Sequence, residues 1–212
     1  MNFAEYHERL QALSHQLTKD ARFRAVIDIY PPFSEADFAD LAQSITGRGI
    51  PNFQIWPGFK DFYEKLDGFR LQWQYLDDGP AIKTGSAQIA LLPAIYLPED
   101  APADSVTRIY SEPRILDLVG PDDHVALRLN QGTQQPDLMY FAEATRQYHP
   151  LALDFESYLN MLLEARAMYG WQRFFVDSDF PVSGAQASEF RDSLKLLFPE
   201  VNTNLFNAPE ER

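Results

Sequence analysis

The chain of 212 residues contains no cysteine, which excludes disulfides, thiolate metal sites and cysteine nucleophiles together. That absence fits a reducing compartment. Basic residues are scarce: 18 Lys and Arg stand against 31 Asp and Glu, a formal charge of −13. Phosphate binding needs clustered Lys and Arg, so nucleic acid is disfavoured as a direct partner, and so are anionic membrane surfaces. Long apolar runs are missing too. The longest, IALLPAIYL at 89–97, is too short to span a bilayer and is interrupted by Pro93. The stretch MNFAEYHERLQALSH carries charges where a secretory signal would have its apolar segment, so it is not read as one. The expected location is the cytoplasm.

Motifs that carry chemistry are also missing. There is no GxGxxG, no Walker A, no HExxH and no GxSxG. The four histidines, His7, His15, His124 and His149, form no i,i+3 or i,i+4 pair. His7 and His15 belong to a helix and read as solvated. His124 follows two acids, but hard-cation sites need more oxygen ligands than this stretch offers, so it reads as part of a polar turn. The paired acids Asp77/Asp78 and Asp122/Asp123 lie in turns, where carboxylates point into water, a poor arrangement for acid–base catalysis. No catalytic constellation, cofactor or metal is expected, which leaves an enzyme as the least favoured function.

What is present is the material of a globular core. Apolar residues make up 45% and aromatics 14%, enough for a chain of this length to bury a core without staples. Phe3, Tyr6, Leu10, Leu13 and Leu17 recur at spacings of three and four, one stripe of a helix. A second helix starts at Ser34, with Asp37 in capping-box position and Phe38, Leu41 and Ile45 on one side; Gly47 or Gly49 ends it. In WPGFKDFYEKLDGFRLQWQYLDDG, Phe59, Phe62, Tyr63 and Leu66 form a helix face and Gly68 fits a left-handed stop. From Phe69 the period drops to two. Phe69, Leu71, Trp73 and Tyr75 alternate with Arg70, Gln72 and Gln74, which predicts a half-buried strand with Trp73 inward.

Further strands are read at SAQIALL, running into an irregular segment at Pro93, and at RILDLVG, VALRLN and LMYF, separated by turns. Two helices follow. The first is capped by Asp154 and stopped by Gly170, with Phe155, Tyr158, Leu159, Leu162 and Leu163 inward. The second has a capping box of Ser183 and Gln186, with Phe190, Leu194 and Leu197 inward. The tail EVNTNLFNAPEER is expected to be loosely held. Helices, then strands, then helices argue an α+β class with a curved, mainly antiparallel sheet flanked by helices. A single domain over 1–212 is expected, with its core at about 50–180, N-terminal helices at 2–47 and an appended helix at 183–198.

The order of these pieces resembles the SUKH superfamily, the Smi/Knr-like proteins, over about residues 50–166. IWPGFKDFYEKLDGFRLQW places Pro57, Phe59, Phe62, Tyr63, Asp67 and Gly68 on that family's signature. LLPAIYLP resembles its next segment, and LALDFESYLNMLLEAR its closing helix. The resemblance implies a binding scaffold: in bacteria an immunity protein that neutralises a polymorphic toxin, or alternatively a regulatory module of the cell-wall-regulator type.

An acidic chain favours a basic protein partner, because opposite potentials speed encounter; the same charge also serves solubility alone. The candidate contacts are the acids of three loops, Asp77 and Asp78, Glu99, Asp100 and Asp104, and Asp122 and Asp123. Trp56 and Trp171 join them, because each lies at an element end and tryptophan is a preferred interface anchor.

Overall fold

A computed structural model describes residues 2–76, 83–97, 108–120, 122–131, 134–176 and 182–208. The architecture is α+β. Seven strands form one open sheet in sequence order, every neighbour antiparallel. They are β1 (Phe23–Ile29), β2 (Phe69–Tyr75), β3 (Thr84–Ile89), β4 (Arg114–Leu118), β5 (His124–Arg128), β6 (Asp137–Ala142) and β7 (Gln147–Pro150). The helices are α1 (Phe3–Lys19), α2 (Glu35–Gly47), α3 (Pro57–Tyr63), α4 (Leu92–Tyr96), α5 (Phe155–Glu164) and α6 (Gly184–Leu197).

The amphipathic stripes drive this arrangement. All five stripe residues of α1 are buried. Phe59 and Phe62 meet Phe155 of α5 edge-on, with centroids 5.0 and 5.5 Å apart, and Phe3 meets Phe62 at 5.5 Å. Phe198, just after α6, stacks on Phe23 and meets Trp73 edge-on. Helices α1, α3, α5 and α6 therefore pack on the sheet face that carries Phe23, Phe69, Leu71 and Trp73, the inner face. One contiguous buried cluster runs from Phe3 to Ala208, so both ends of the described chain share its core.

The strand at Phe69–Tyr75, the caps of α2, α5 and α6, and the inward Trp73 are as read from the pattern. Gly68 is left-handed (φ +79°), and a Cβ there would lie 2.5 Å from the Ile89 carbonyl oxygen, so the stop needs glycine on two counts.

Several expectations are corrected. Between the first two helices lies a strand, β1, pairing with β2 over seven consecutive residues. The segment at Pro93 is a short helix, α4, with proline in its first turn, where the missing N–H costs nothing. Helix α5 ends at Glu164, well before Gly170. Arg166 and Ala167 then turn left-handed, φ +53° and +54°. Tertiary bonds hold that turn: the Arg166 carbonyl accepts from Trp73 Nε1 (2.7 Å) and the Ala167 carbonyl from the Ser86 N–H (2.8 Å). The tail is anchored as well. Val201, Phe206 and Ala208 are buried, and the Phe206 ring packs against Phe174 and Phe190.

The sheet has a seam. β3 and β4 share a single residue pair, Ile89 with Asp117, and the rest of the β3 edge is covered by Arg166–Tyr169. On the other side of β4 the register with β5 slips between Ile115 and Asp117, a β-bulge. The bulge turns two successive side chains, Leu116 and Asp117, into the core, which breaks the alternation on that strand.

Candidate functional site

Asp77, Asp78, Glu99, Asp100 and Asp104 lie outside the described residues. The other four predicted contacts fall in different environments. Trp56 precedes α3, is half-buried, and meets Phe59 and Phe155 edge-on at 5.1 and 5.8 Å. Its ring lies over Gly58, where any Cβ would collide with it. Trp171 is a correction. It begins a 3-10 turn that rolls the indole inward against Tyr158 (5.1 Å), and with 0% exposure it belongs to the core. Asp122 is exposed. Asp123 is held by the protein itself: one oxygen accepts from Tyr140 (2.7 Å) and Tyr169 (3.0 Å) hydroxyls, the other from the Glu143 N–H (3.0 Å). Its carboxylate ties the β4–β5 turn to β6 and to the chain beyond α5.

The structure does not bring Trp56 and these acids together. Trp56 lines a small hollow with Leu129 and Asn130, which follow β5, whereas Asp122 and Asp123 precede β5. A five-residue strand separates them, about 17 Å at its usual rise.

A surface the sequence reading did not single out lies on α2 and on α3, the helix that Trp56 precedes. Helices α2 and α3 expose Glu35, Asp37, Asp40, Asp61 and, just after α3, Glu64. Among the basic side chains there, Lys60 is bonded to Glu35 (2.9 Å), which lies across from it on α2. The individual acids are scattered through two helical segments, so no local run of sequence announces the patch.

The outer face of the sheet divides in two. Cross-strand partners project to the same side, so Arg24, Val26 and Asp28 of β1 share it with Arg70, Gln72 and Gln74 of β2 and with Thr84, Ser86 and Gln88 of β3. Beyond the seam the same face carries Ile115, Leu118, His124, Ala126, Met139, Phe141, Tyr148 and Pro150. His124 stacks on Phe141 at 4.7 Å, and its Nε2 lies 3.2 Å from the Tyr148 hydroxyl. His124 thus begins a strand inside an aromatic group, where burial lowers its pKa; the expected polar turn ends one residue earlier.

Beneath the seam lies the one buried carboxylate of the described residues, Asp117. One oxygen accepts from the Gln88 backbone N–H (2.6 Å), which the broken ladder would otherwise leave without an acceptor. The other accepts from the Tyr158 hydroxyl (2.6 Å) on α5. Gln172 Nε2 reaches the same hydroxyl at 3.5 Å. Burial pushes the Asp117 pKa up to about 6, against the lowering effect of its two donors. With no exposed surface, this carboxylate serves as a pin between sheet halves and α5.

Among the described residues no group of three or more His, Asp or Glu is placed to hold a metal ion, and no helix is long and apolar enough to cross a membrane. The chain matches no protein-family model, no curated protein and no solved structure.

Proposed function

We infer that this chain is a non-catalytic protein-binding module whose partner is a basic protein, and that it neutralises a toxin domain by covering it. The observation that carries this reading is the acidity of α2 and α3: five exposed carboxylates on two helices joined by the Lys60–Glu35 pair, with half-buried Trp56 at the start of α3, on a chain of charge −13. Carboxylates steer a cationic partner in, and a partly exposed indole lengthens its stay. The order of SUKH-like motifs between residues 50 and 166 supports the same role, as does the anchoring of α3 by Phe59 and Phe62 in the core.

The test is association kinetics against salt, using a basic toxin domain encoded beside the gene for this chain. Replacing Glu35, Asp40, Asp61 and Glu64 by their amides should slow association by tenfold or more, on the order expected for lost electrostatic steering. Trp56→Ala should raise the dissociation rate instead. A toxin domain that fails to bind would remove the immunity reading. An unchanged rate in the four-amide variant would remove this surface from it.

A further inference from the structure

We propose that the free edge of β1 is a self-association site, where a second copy of this chain adds its own β1 antiparallel and joins two sheets into one. β1 ends the sheet order, so one of its sides has no neighbouring strand. The phase of the ladder shows which groups face that side. Leu76 N–H donates to the Arg22 carbonyl (2.7 Å) and Tyr30 N–H to the Gly68 carbonyl (3.2 Å), so the even-numbered residues turn their main-chain groups to β2. Ala25, Ile27 and Ile29 turn theirs away, and among the described residues nothing bonds to them. The usual guards of an edge are missing: β1 runs seven residues in unbroken register, with no proline, glycine or bulge. The opposite edge is guarded. β7 has four residues and ends in Pro150, and the chain beyond is taken up where the Ala152 N–H donates to the Phe175 carbonyl (2.8 Å). Pairing through β1 therefore leaves no second open edge of comparable length, and closes at two copies.

The side chains of the edge select the occupant. Arg24, Val26 and Asp28 project from the outer face of β1, a cation and an anion placed evenly about an apolar residue. Val26 is 47% exposed. Asp28 faces Arg70, but the Arg70 guanidinium turns to Gln72 (2.7 Å), and among the described residues neither Arg24 nor Asp28 forms an ion pair. An antiparallel copy centred on Val26 satisfies all three positions at once. Arg24 of each copy then stands opposite Asp28 of the other, Val26 meets Val26, and Ala25 and Ile27 exchange main-chain bonds with Ile27 and Ala25. Moving the centre to Ala25 or Ile27 keeps main-chain pairing but sets Arg24 opposite Val26 or Tyr30. A basic strand from another protein would repel Arg24 and an acidic one Asp28, whereas the chain's own β1 repels neither.

Sedimentation equilibrium on the full chain tests this. The wild-type chain should form dimers that dissociate on dilution. Arg24→Glu and Asp28→Arg should each weaken the dimer by roughly tenfold or more, since each turns both attractive pairs into repulsive ones. An equimolar mixture of the two variants should dimerise again, because the new acid of one then faces the new base of the other. Circular dichroism should be unchanged in both; Val26→Lys, which sets two like charges on the axis, serves if either variant misfolds. Ala25→Pro removes a main-chain donor that only the dimer uses, and should also give monomer. Leu196→Glu, on the exposed side of α6, should leave the dimer intact. A wild-type chain that stays monomeric at every concentration overturns the proposal. So does a dimer indifferent to both charge variants, or a mixture of the two that fails to restore it.

Discussion

The two halves of the sheet differ in kind. On one side of the seam, β1 and β2 pair through seven consecutive residues and β2 and β3 through six, with strict alternation and a polar outer surface. On the other side the ladders are shorter, a bulge interrupts β4–β5, a carboxylate sits in the core and the outer surface is apolar. The regular half stays in register because slipping by one residue would expose Phe69, Leu71 and Trp73 together. The second half is apolar on both faces, so alternation specifies it less. There the register depends on particular devices, the bulge at Leu116 and the side chains of Asp117 and Asp123.

This contrast can be broken at its strongest point. Trp73 fills the inner face of the regular half, and its Nε1 donates to the Arg166 carbonyl, so it also fixes the turn that covers the β3 edge. Trp73→Ala should cost about 3–5 kcal/mol, measured by urea unfolding, with loss of both packing and that bond. A cost below about 1 kcal/mol would mean that the regular half does not depend on its core register.

The next effect in size belongs to the other half and depends on pH. Asp117 has a folded pKa raised to about 6 from an ordinary value near 3.8. The folded state therefore favours the protonated acid. Its contribution is fully present below about pH 4 and is lost as pH rises through 6, by about 3 kcal/mol in all. Asp20, Asp37, Asp154 and Glu200 have lowered pKa values and act in the opposite sense, so the comparison must be against a variant. In Asp117→Asn the amide oxygen can still accept from Gln88 N–H and the amide nitrogen can face the Tyr158 oxygen. The variant should gain on the wild type by about 3 kcal/mol between pH 4 and pH 7.5. Parallel pH profiles for the two proteins would show that folding does not raise the Asp117 pKa.

A smaller effect sharpens the same comparison. Gly85 faces Trp73 across the β2–β3 ladder, and a Cβ there would lie 2.2 Å from the indole nitrogen. Gly85→Ala should cost about 1–3 kcal/mol by overpacking. In a Trp73→Ala background the same change should be nearly neutral, because the two sites share one volume. Additive costs would place the strain in the backbone and not at the ring.

Much of the regular architecture was legible locally. The stripe from Phe3 to Leu17, the period change at Phe69, the left-handed Gly68 and the capping boxes at Ser34 and Ser183 each follow from spacing and cap chemistry within a few residues. The alternation of Phe23, Ala25, Ile27 and Ile29 marks β1 in the same way. β7 carries no such signal: Gln147–Pro150 is short and polar, and becomes a strand only because β6 offers it a ladder. Of the candidate site, Trp56 and Asp122 kept the partial or full exposure their positions suggested, whereas Trp171 and Asp123 were taken up by contacts from distant segments.

The sequence by itself determined the α+β class, the acidic charge and the helix faces, because those depend on composition and on periods of 2 and 3.6 residues. Only the tertiary structure decided the rest. Asp117 is in the core because a bulge rotated it there, and it is tolerated because Gln88 and Tyr158, 29 and 41 residues away, donate to it. Arg166 and Ala167 are left-handed because Trp73 and Ser86 hold their carbonyls. The outer face of β4–β7 is apolar because residues from four strands project to one side. Contacts of this kind join positions far apart in the chain, and no local pattern records which distant partner a side chain will meet.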